Sequence, residues 1–425
     1  MAALRPIGAL SSPKLASAPG WSRKALATRV RNALVFLLSV SFGYFCGTHL
    51  LSNTIASRKR AALGGESRRE SPGSEGSVGS VVRPRNRIHT LTTTNGSPYQ
   101  NYQMRIAYAS YTRMLAMPGG EHHVAFTRIL HRTARDRDVL ADEIPTFRAD
   151  PLQPECDDWC PYPVSDRANA VAQFWKYAEA EDVMKDIDWV YMIESDYVFV
   201  KPLLPPAGKK GLGLKLDKNK GYGYYFYYIQ PGFVVDELRK VYDGPVEAIQ
   251  STGPAPLLMS VDNWLKVTPG WEDLAARIEA DEGMKQRLGW VREMYGFDVA
   301  LANAGIEVVL DEPRSREGDN TPAPLQFIRE LPLHASLEHA HAFHYTLPTI
   351  IQRVEDGSDV WKYDKREFTT SDVVMRVPRV DPLPAWEGDG QFKWIEGSVV
   401  EKATFDLLGQ MVEALNLAID DLPHL

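Results

Sequence analysis

The chain has 425 residues, 44% hydrophobic and 24% charged, which is enough apolar material for one large or two ordinary domains and too much for a disordered polymer. A formal net charge of −7 argues against a polyanion such as nucleic acid as the main partner. Ten Trp and eighteen Tyr suit a sugar or peptide surface, although aromatic side chains more often fill cores.

Residues 1–32 are rich in Ser, Ala and Pro, basic and free of acids, and read as a cytoplasmic tail. Residues 33–51 carry no formal charge with His49 neutral, and are just long enough to span a bilayer. An uncleaved signal anchor is expected there. A cleaved signal peptide competes, but its basic leader would be long and no small-x-small site follows directly. Arg23, Lys24, Arg29 and Arg31 before the span face Arg58, Lys59 and Arg60 after it, so charge does not set the orientation. The layout of short tail, span, polar stem and large C-terminal domain favours a single-pass type II protein with that domain lumenal.

Residues 52–101 are rich in Ser, Gly and Arg and lack apolar periodicity, the signature of a flexible stem. Residues 102–425 then form the lumenal domain. Residues 105–110 read as its first strand, with Ser110, Tyr111 and Thr112 at the C-terminal edge. A helix is expected over 124–130 and a short strand over 143–147. Cys156 and Cys160 follow in a loop rich in Pro and Asp. With no second Cys pair for zinc, a local disulfide in an oxidising lumen is favoured over free thiols.

Ser165 or Asp166 can cap a helix whose apolar positions Ala168, Val171, Ala172, Trp175 and Ala178 recur at helical spacing. It leads into residues 188–200, an apolar, β-prone run that sets Glu194 and Asp196 on one face of a strand near its far end. Alternating strands and helices make an α/β fold, which binds ligands at the carboxyl edge of its sheet. Further on, residues 221–229 are strongly aromatic, Trp264, Trp271 and Trp290 lie in helical stretches, and Phe405, Leu408, Val412, Leu415 and Ile419 mark an amphipathic closing helix.

Hard oxygen ligands on one face suit Mg²⁺ or Mn²⁺ bound against a diphosphate; the alternative for Glu194 and Asp196 is a buried strand ending in a polar turn. His344 is a candidate third ligand, with His334, His339 and His341 nearby as substitutes. Lys362, Lys365 and Arg366 form a basic cluster suited to phosphate, or a solvated loop. Arg128 and Arg167 are further phosphate candidates, or ion-pair residues. Glu293, among aromatics, could carry a raised pKa and bind or assist an acceptor hydroxyl, or form a salt bridge; Asp262 has the same ambiguity.

Six segments, in order, resemble the plant and algal hydroxyproline O-arabinosyltransferases: residues 126–131, 142–147, 194–203, 288–295, 343–346 and 361–366. The resemblance implies a Golgi membrane enzyme with a GT-A-like α/β fold around a mixed central sheet. It implies transfer of L-arabinofuranose from UDP-L-arabinofuranose to hydroxyproline on secreted cell-wall glycoproteins or peptides, with Mn²⁺ as the ion. Asp196 then matches the family's metal-binding aspartate, His344 the His of its histidine-tyrosine-threonine segment, and Lys365-Arg366 a basic pair, while Glu194 binds directly or supports the ion through water. The sequence departs from the family at Ser195 and Tyr197, where Glu-Ser-Asp-Tyr replaces Glu-Pro-Asp-His, in the Cys156 to Cys160 loop, and after Thr346. These positions bear on which sugar is transferred. A peptidyl-serine O-α-galactosyltransferase, or an inactive membrane-tethered lectin-like protein, are the alternatives.

Overall fold

A computed structural model describes residues 86–132, 138–153, 162–203, 216–311, 328–330, 340–346 and 348–425, all within the compact unit Gly65–Leu425. The expected tail and membrane span, most of the stem, and Cys156 and Cys160 lie outside the described residues, as do His334 and His339. Among the described residues, no helix is long and apolar enough to cross a membrane.

A seven-stranded mixed sheet orders its strands β3-β2-β1-β4-β7-β6-β8. They are β1 (Ile88–Thr94), β2 (His123–His131), β3 (Thr146–Ala149), β4 (Trp189–Ile193), β6 (Gly221–Tyr224), β7 (Leu257–Ser260) and β8 (Val308–Asp311). Strands β3, β2, β1 and β4 run parallel, and β7 runs against β4 and β6. Two small sheets adjoin it. One joins β5 (Tyr197–Phe199), β10 (Ala342–His344) and β9 (Ile328–Glu330); the other joins β12 (Asp359–Tyr363), β11 (Thr349–Arg353) and β13 (Phe392–Trp394). The long helices are α1 (Pro98–Leu115), α2 (Arg167–Ala180), α3 (Val261–Ala280), α4 (Arg292–Ala304) and α5 (Lys402–Asp420).

The strand order reverses between β1 and β4: the chain steps outward from β1 to β3, then returns to β1's other side. This is the topological switch point, where such sheets open a ligand crevice at their carboxyl ends. Helix α2 covers β1, β2 and β3, whereas α1 packs on the other side with α5 and β5.

Three expectations are corrected. Residues 88–94, read as flexible stem, form the central strand β1, and all seven are buried. Four are Thr, polar by composition yet β-branched, and a strand covered on both faces shows no alternation. Residues 105–110 lie within α1, not in a strand: Ser97 accepts from the Gln100 amide, Pro98 opens the first turn, and Tyr102, Ile106 and Ala109 are buried at helical spacing. Residues 124–130 form β2 rather than a helix, paired in parallel with β1. Between β1 and α1, Gly96 turns the chain at a φ of +72°, where an added Cβ would meet Leu130 at 2.9 Å. The expected short strand is displaced to β3, while α2 and the buried stripe of α5 form as expected.

Arg105 fastens this core. Its guanidinium is buried, pairs with Glu143 at 2.8 Å, and donates to the carbonyls of Val374 at 2.6 Å and Pro423 at 2.5 Å. Arg105→Ala is expected to lower unfolding free energy by about 3–5 kcal/mol, because it strands a buried carboxylate and two carbonyls; the denaturant midpoint measures the loss.

Candidate active site

Strand β4 is buried along its whole length and ends at Ile193, which pairs with Thr92 of β1. Glu194 is the first residue beyond the ladder. The run 188–200 is therefore two strands rather than one, with a turn at Glu194, Ser195 and Asp196 before β5. The two carboxylates meet across this turn, at the carboxyl edge and beside the switch point.

β5 then pairs antiparallel with β10, setting Tyr197 opposite His344. That register carries His344 across 148 positions to the carboxylates: its Nε2 lies 3.2 Å from Asp196 Oδ2 and 3.6 Å from Glu194 Oε2. The Tyr197 ring packs edge-on against the imidazole at 4.7 Å. Tyr197 is fully buried, so its side chain props His344.

Two cations flank the carboxylates. Lys365 Nζ bonds Asp196 Oδ2, and its own carbonyl accepts from the Tyr102 hydroxyl of α1 at 2.9 Å. Arg167, opening α2, reaches Glu194 Oε1 at 2.9 Å and Glu293 Oε2 at 3.5 Å. Burial alone would raise the Asp196 carboxyl, but His344 and Lys365 outweigh it and hold the group well below the usual carboxylate range. Burial likewise opposes the Lys365 charge, and Asp196 more than restores it.

Glu293, in the first turn of α4, is pushed up to about 7, chiefly by burial; Arg167 opposes the rise and Glu194 adds to it. The Trp271 indole also adjoins the carboxyl and opposes the rise.

Glu194, Asp196 and His344 each offer one donor atom within 4.8 Å of the others. Two carboxylates and an imidazole fit a hard or intermediate divalent cation, which would share Asp196 with Lys365. Arg167 and Lys365 place positive charge on either side, where the oxygens of a diphosphate would need it.

The other sequence candidates separate. Ser110 and Tyr111 are buried within α1: the Ser110 hydroxyl donates to Ala107 O and accepts from the Phe199 amide, and the Tyr111 hydroxyl bonds Ala125 O. Thr112 bonds Ala109 O on the same helix. None of the three stands at the carboxyl edge, because the true β1 precedes them. Arg128 is buried and consumed by Asp138, Thr146 and Asn101. Asp262 is exposed at the opposite end of the sheet, two residues after Ser260, which pairs with the first residue of β4. In the basic cluster, Lys362 pairs with Glu367 and Arg366 with Asp364, leaving Lys365 alone directed at the carboxylates. His341 bonds Lys201 O and the Tyr191 hydroxyl, away from the cluster. Tyr162, which the sequence did not single out, donates to Trp290 O, accepts from the Glu293 amide and stacks beneath the Arg292 guanidinium. It thereby braces the start of α4.

Residues 88–310 match the family described as Hydroxyproline O-arabinosyltransferase family N-terminal domain. Similar proteins include Hydroxyproline O-arabinosyltransferase 3 of Arabidopsis thaliana, 34% identical over 226 residues that cover 52% of this chain and 58% of the relative. Hydroxyproline O-arabinosyltransferase RDN2 of Medicago truncatula is 30% identical over 306 residues, 70% of this chain and 74% of the relative. The Peptidyl serine alpha-galactosyltransferase of Arabidopsis thaliana is 23% identical over 315 residues, 71% of this chain but 34% of that protein.

Asp196→Ala is expected to destabilise the fold by about 3–5 kcal/mol, since Lys365 stays buried without its counter-ion. Adding Lys365→Met should restore most of that stability and no activity, a pair of outcomes read from melting curves and turnover of the same samples. For Glu293, the folded carboxyl lies above its unfolded value of 4.5, so the native state binds the proton more tightly. Its stabilising contribution is complete below about pH 4.5 and is lost as pH rises through about 7, a fall of about 3 kcal/mol. Glu293→Gln should flatten that part of the stability profile, as measured by denaturation between pH 4.5 and 8.

Proposed function

Because the chain belongs to the hydroxyproline O-arabinosyltransferase family, we propose that it is a glycosyltransferase passing L-arabinofuranose from UDP-L-arabinofuranose to hydroxyproline of secreted peptides or cell-wall glycoproteins. The observation that carries this reading is the convergence of Glu194, Asp196 and His344 at the carboxyl edge, with Arg167 and Lys365 on either side. A bound Mn²⁺ or similar cation would supply charge stabilisation for the departing UDP. Asp196, His344 and Glu194 would hold it. Arg167 and Lys365 would bind and orient the diphosphate, limiting charge build-up as the sugar leaves.

Glu293 sits behind Arg167 with a carboxyl that titrates near neutrality, which suits it to exchange a proton with an acceptor hydroxyl. The enzyme would work in the Golgi lumen, anchored by residues 33–51 as a type II membrane protein.

The test offers a panel of UDP-sugars and a hydroxyproline-rich peptide to the purified protein with Mn²⁺, and identifies the product by mass and linkage. Pentose on hydroxyproline, lost on chelation and recovered on adding Mn²⁺, is the expected outcome, with His344→Ala reproducing the loss. Hexose on serine would instead align the chain with its galactosyltransferase relative. Neither UDP binding nor consumption of any UDP-sugar would leave a lectin-like or scaffold role.

A further inference from the structure

At the carboxyl edge, one strand away from β1 on the side opposite β4, a second polar cluster is left unsatisfied. Asp166 is 1% exposed, and both its carboxylate oxygens are buried without a hydrogen-bond partner. His131, the last residue of β2, is 5% exposed, and its Nδ1 is likewise unpartnered, 3.7 Å from Asp166 Oδ2.

Asp166 closes the 3-10 turn Pro163–Asp166 that runs directly into α2, with helical backbone angles of its own (φ −76°, ψ −15°), and its side chain makes no capping bond. Ser165, the other sequence candidate for the cap, bonds Tyr162 O and Gln153 instead. A buried carboxylate whose facing imidazole stands 3.7 Å away, beyond hydrogen-bond distance, is costly. Such a cost is sustained where a ligand supplies the missing donor.

Side-chain parity places the cluster on the face of the sheet that α2 covers. His89 bonds Thr127 and packs against Phe174 of α2, so the odd-numbered residues of β2, ending in His131, face that helix. Helix α2 thus presents two neighbouring residues in opposite directions: Asp166 toward the end of β2, and Arg167 toward Glu194 after β4. Strands β2 and β4 flank β1, so the two clusters stand two strand spacings apart, about 10 Å, on either side of the switch point.

The geometry points to Asp166 and His131 as the base subsite of a nucleoside diphosphate whose phosphates lie at the Glu194–Asp196 end, with uracil the base that the UDP-sugar reading supplies. Uracil carries one ring N–H between two carbonyls; the carboxylate would accept from the N–H and the imidazole N–H would donate to the adjoining carbonyl. This inference rests on the UDP-sugar reading above and adds to it the residues that select the nucleotide.

Calorimetric titration of the full chain with Mn²⁺ tests it, using UDP, N3-methyl-UDP, CDP, ADP and inorganic pyrophosphate. UDP should bind tightest, and N3-methyl-UDP at least about 10-fold more weakly, because the methyl removes the hydrogen bond to a charged acceptor. Asp166→Asn should weaken UDP by a similar factor and leave pyrophosphate unchanged. Equal binding of UDP and its N3-methyl form overturns the assignment, as does ADP or CDP binding as tightly as UDP, or an Asp166→Asn loss shared equally by pyrophosphate. Should the variant not fold, the nucleotide series on the unsubstituted protein decides alone. A protein that binds none of the nucleotides refutes the UDP-sugar reading and the subsite with it, whereas UDP binding with no base discrimination refutes only the subsite.

Discussion

A carboxylate taken out of water must find opposite charge, and the arrangement of this domain around Asp196 meets that requirement. Asp196 is 7% exposed, and the groups that compensate it come from remote parts of the chain. His344 arrives through the β5–β10 pairing, and Lys365 follows the hairpin of β11 and β12. Arg167 performs the same service for Glu194 from the other flank. The two small sheets are thus more than decoration on the central one: one sets the imidazole, and the other delivers the ammonium.

The switch point explains why these charges face a crevice. Because β2 and β4 lie on opposite sides of β1, the residues that end them stand apart, and the start of α2 reaches both. One helix terminus therefore supplies residues to both sides, Asp166 to the first and Arg167 to the second. The stability of the site and its capacity to bind share the same atoms: Lys365 and Arg167 neutralise the carboxylates and are also the cations best placed for a diphosphate.

Much of this was legible in the sequence, and the failures have physical causes. The α2 and α5 helices announce themselves by apolar spacing, and residue chemistry together with the family resemblance singles out Glu194, Asp196 and His344. The central strand was missed because its four Thr count as polar, although burial between two layers suits their branched side chains. That error moved the first strand to residues 105–110 and put Ser110, Tyr111 and Thr112 at an edge they do not occupy. Arg128 and Arg167 were indistinguishable as sequence candidates; only the fold pairs one with Asp138 in the interior and the other with Glu194 at the crevice. Asp166 looked like a helix cap, and local pattern carries no sign that its side chain turns away.

The spread of the site along the chain has a consequence for biosynthesis. Residues 167, 194, 196, 293, 344 and 365 converge on one edge, and the Arg105 clasp closes only on the Pro423 carbonyl, 318 positions later. Contacts of such sequence separation form late and slowly. As the polypeptide emerges from the ribosome, Asp196 is made 169 positions before its lysine. Asp196 therefore gains its ammonium and its imidazole only when the last quarter of the chain is delivered.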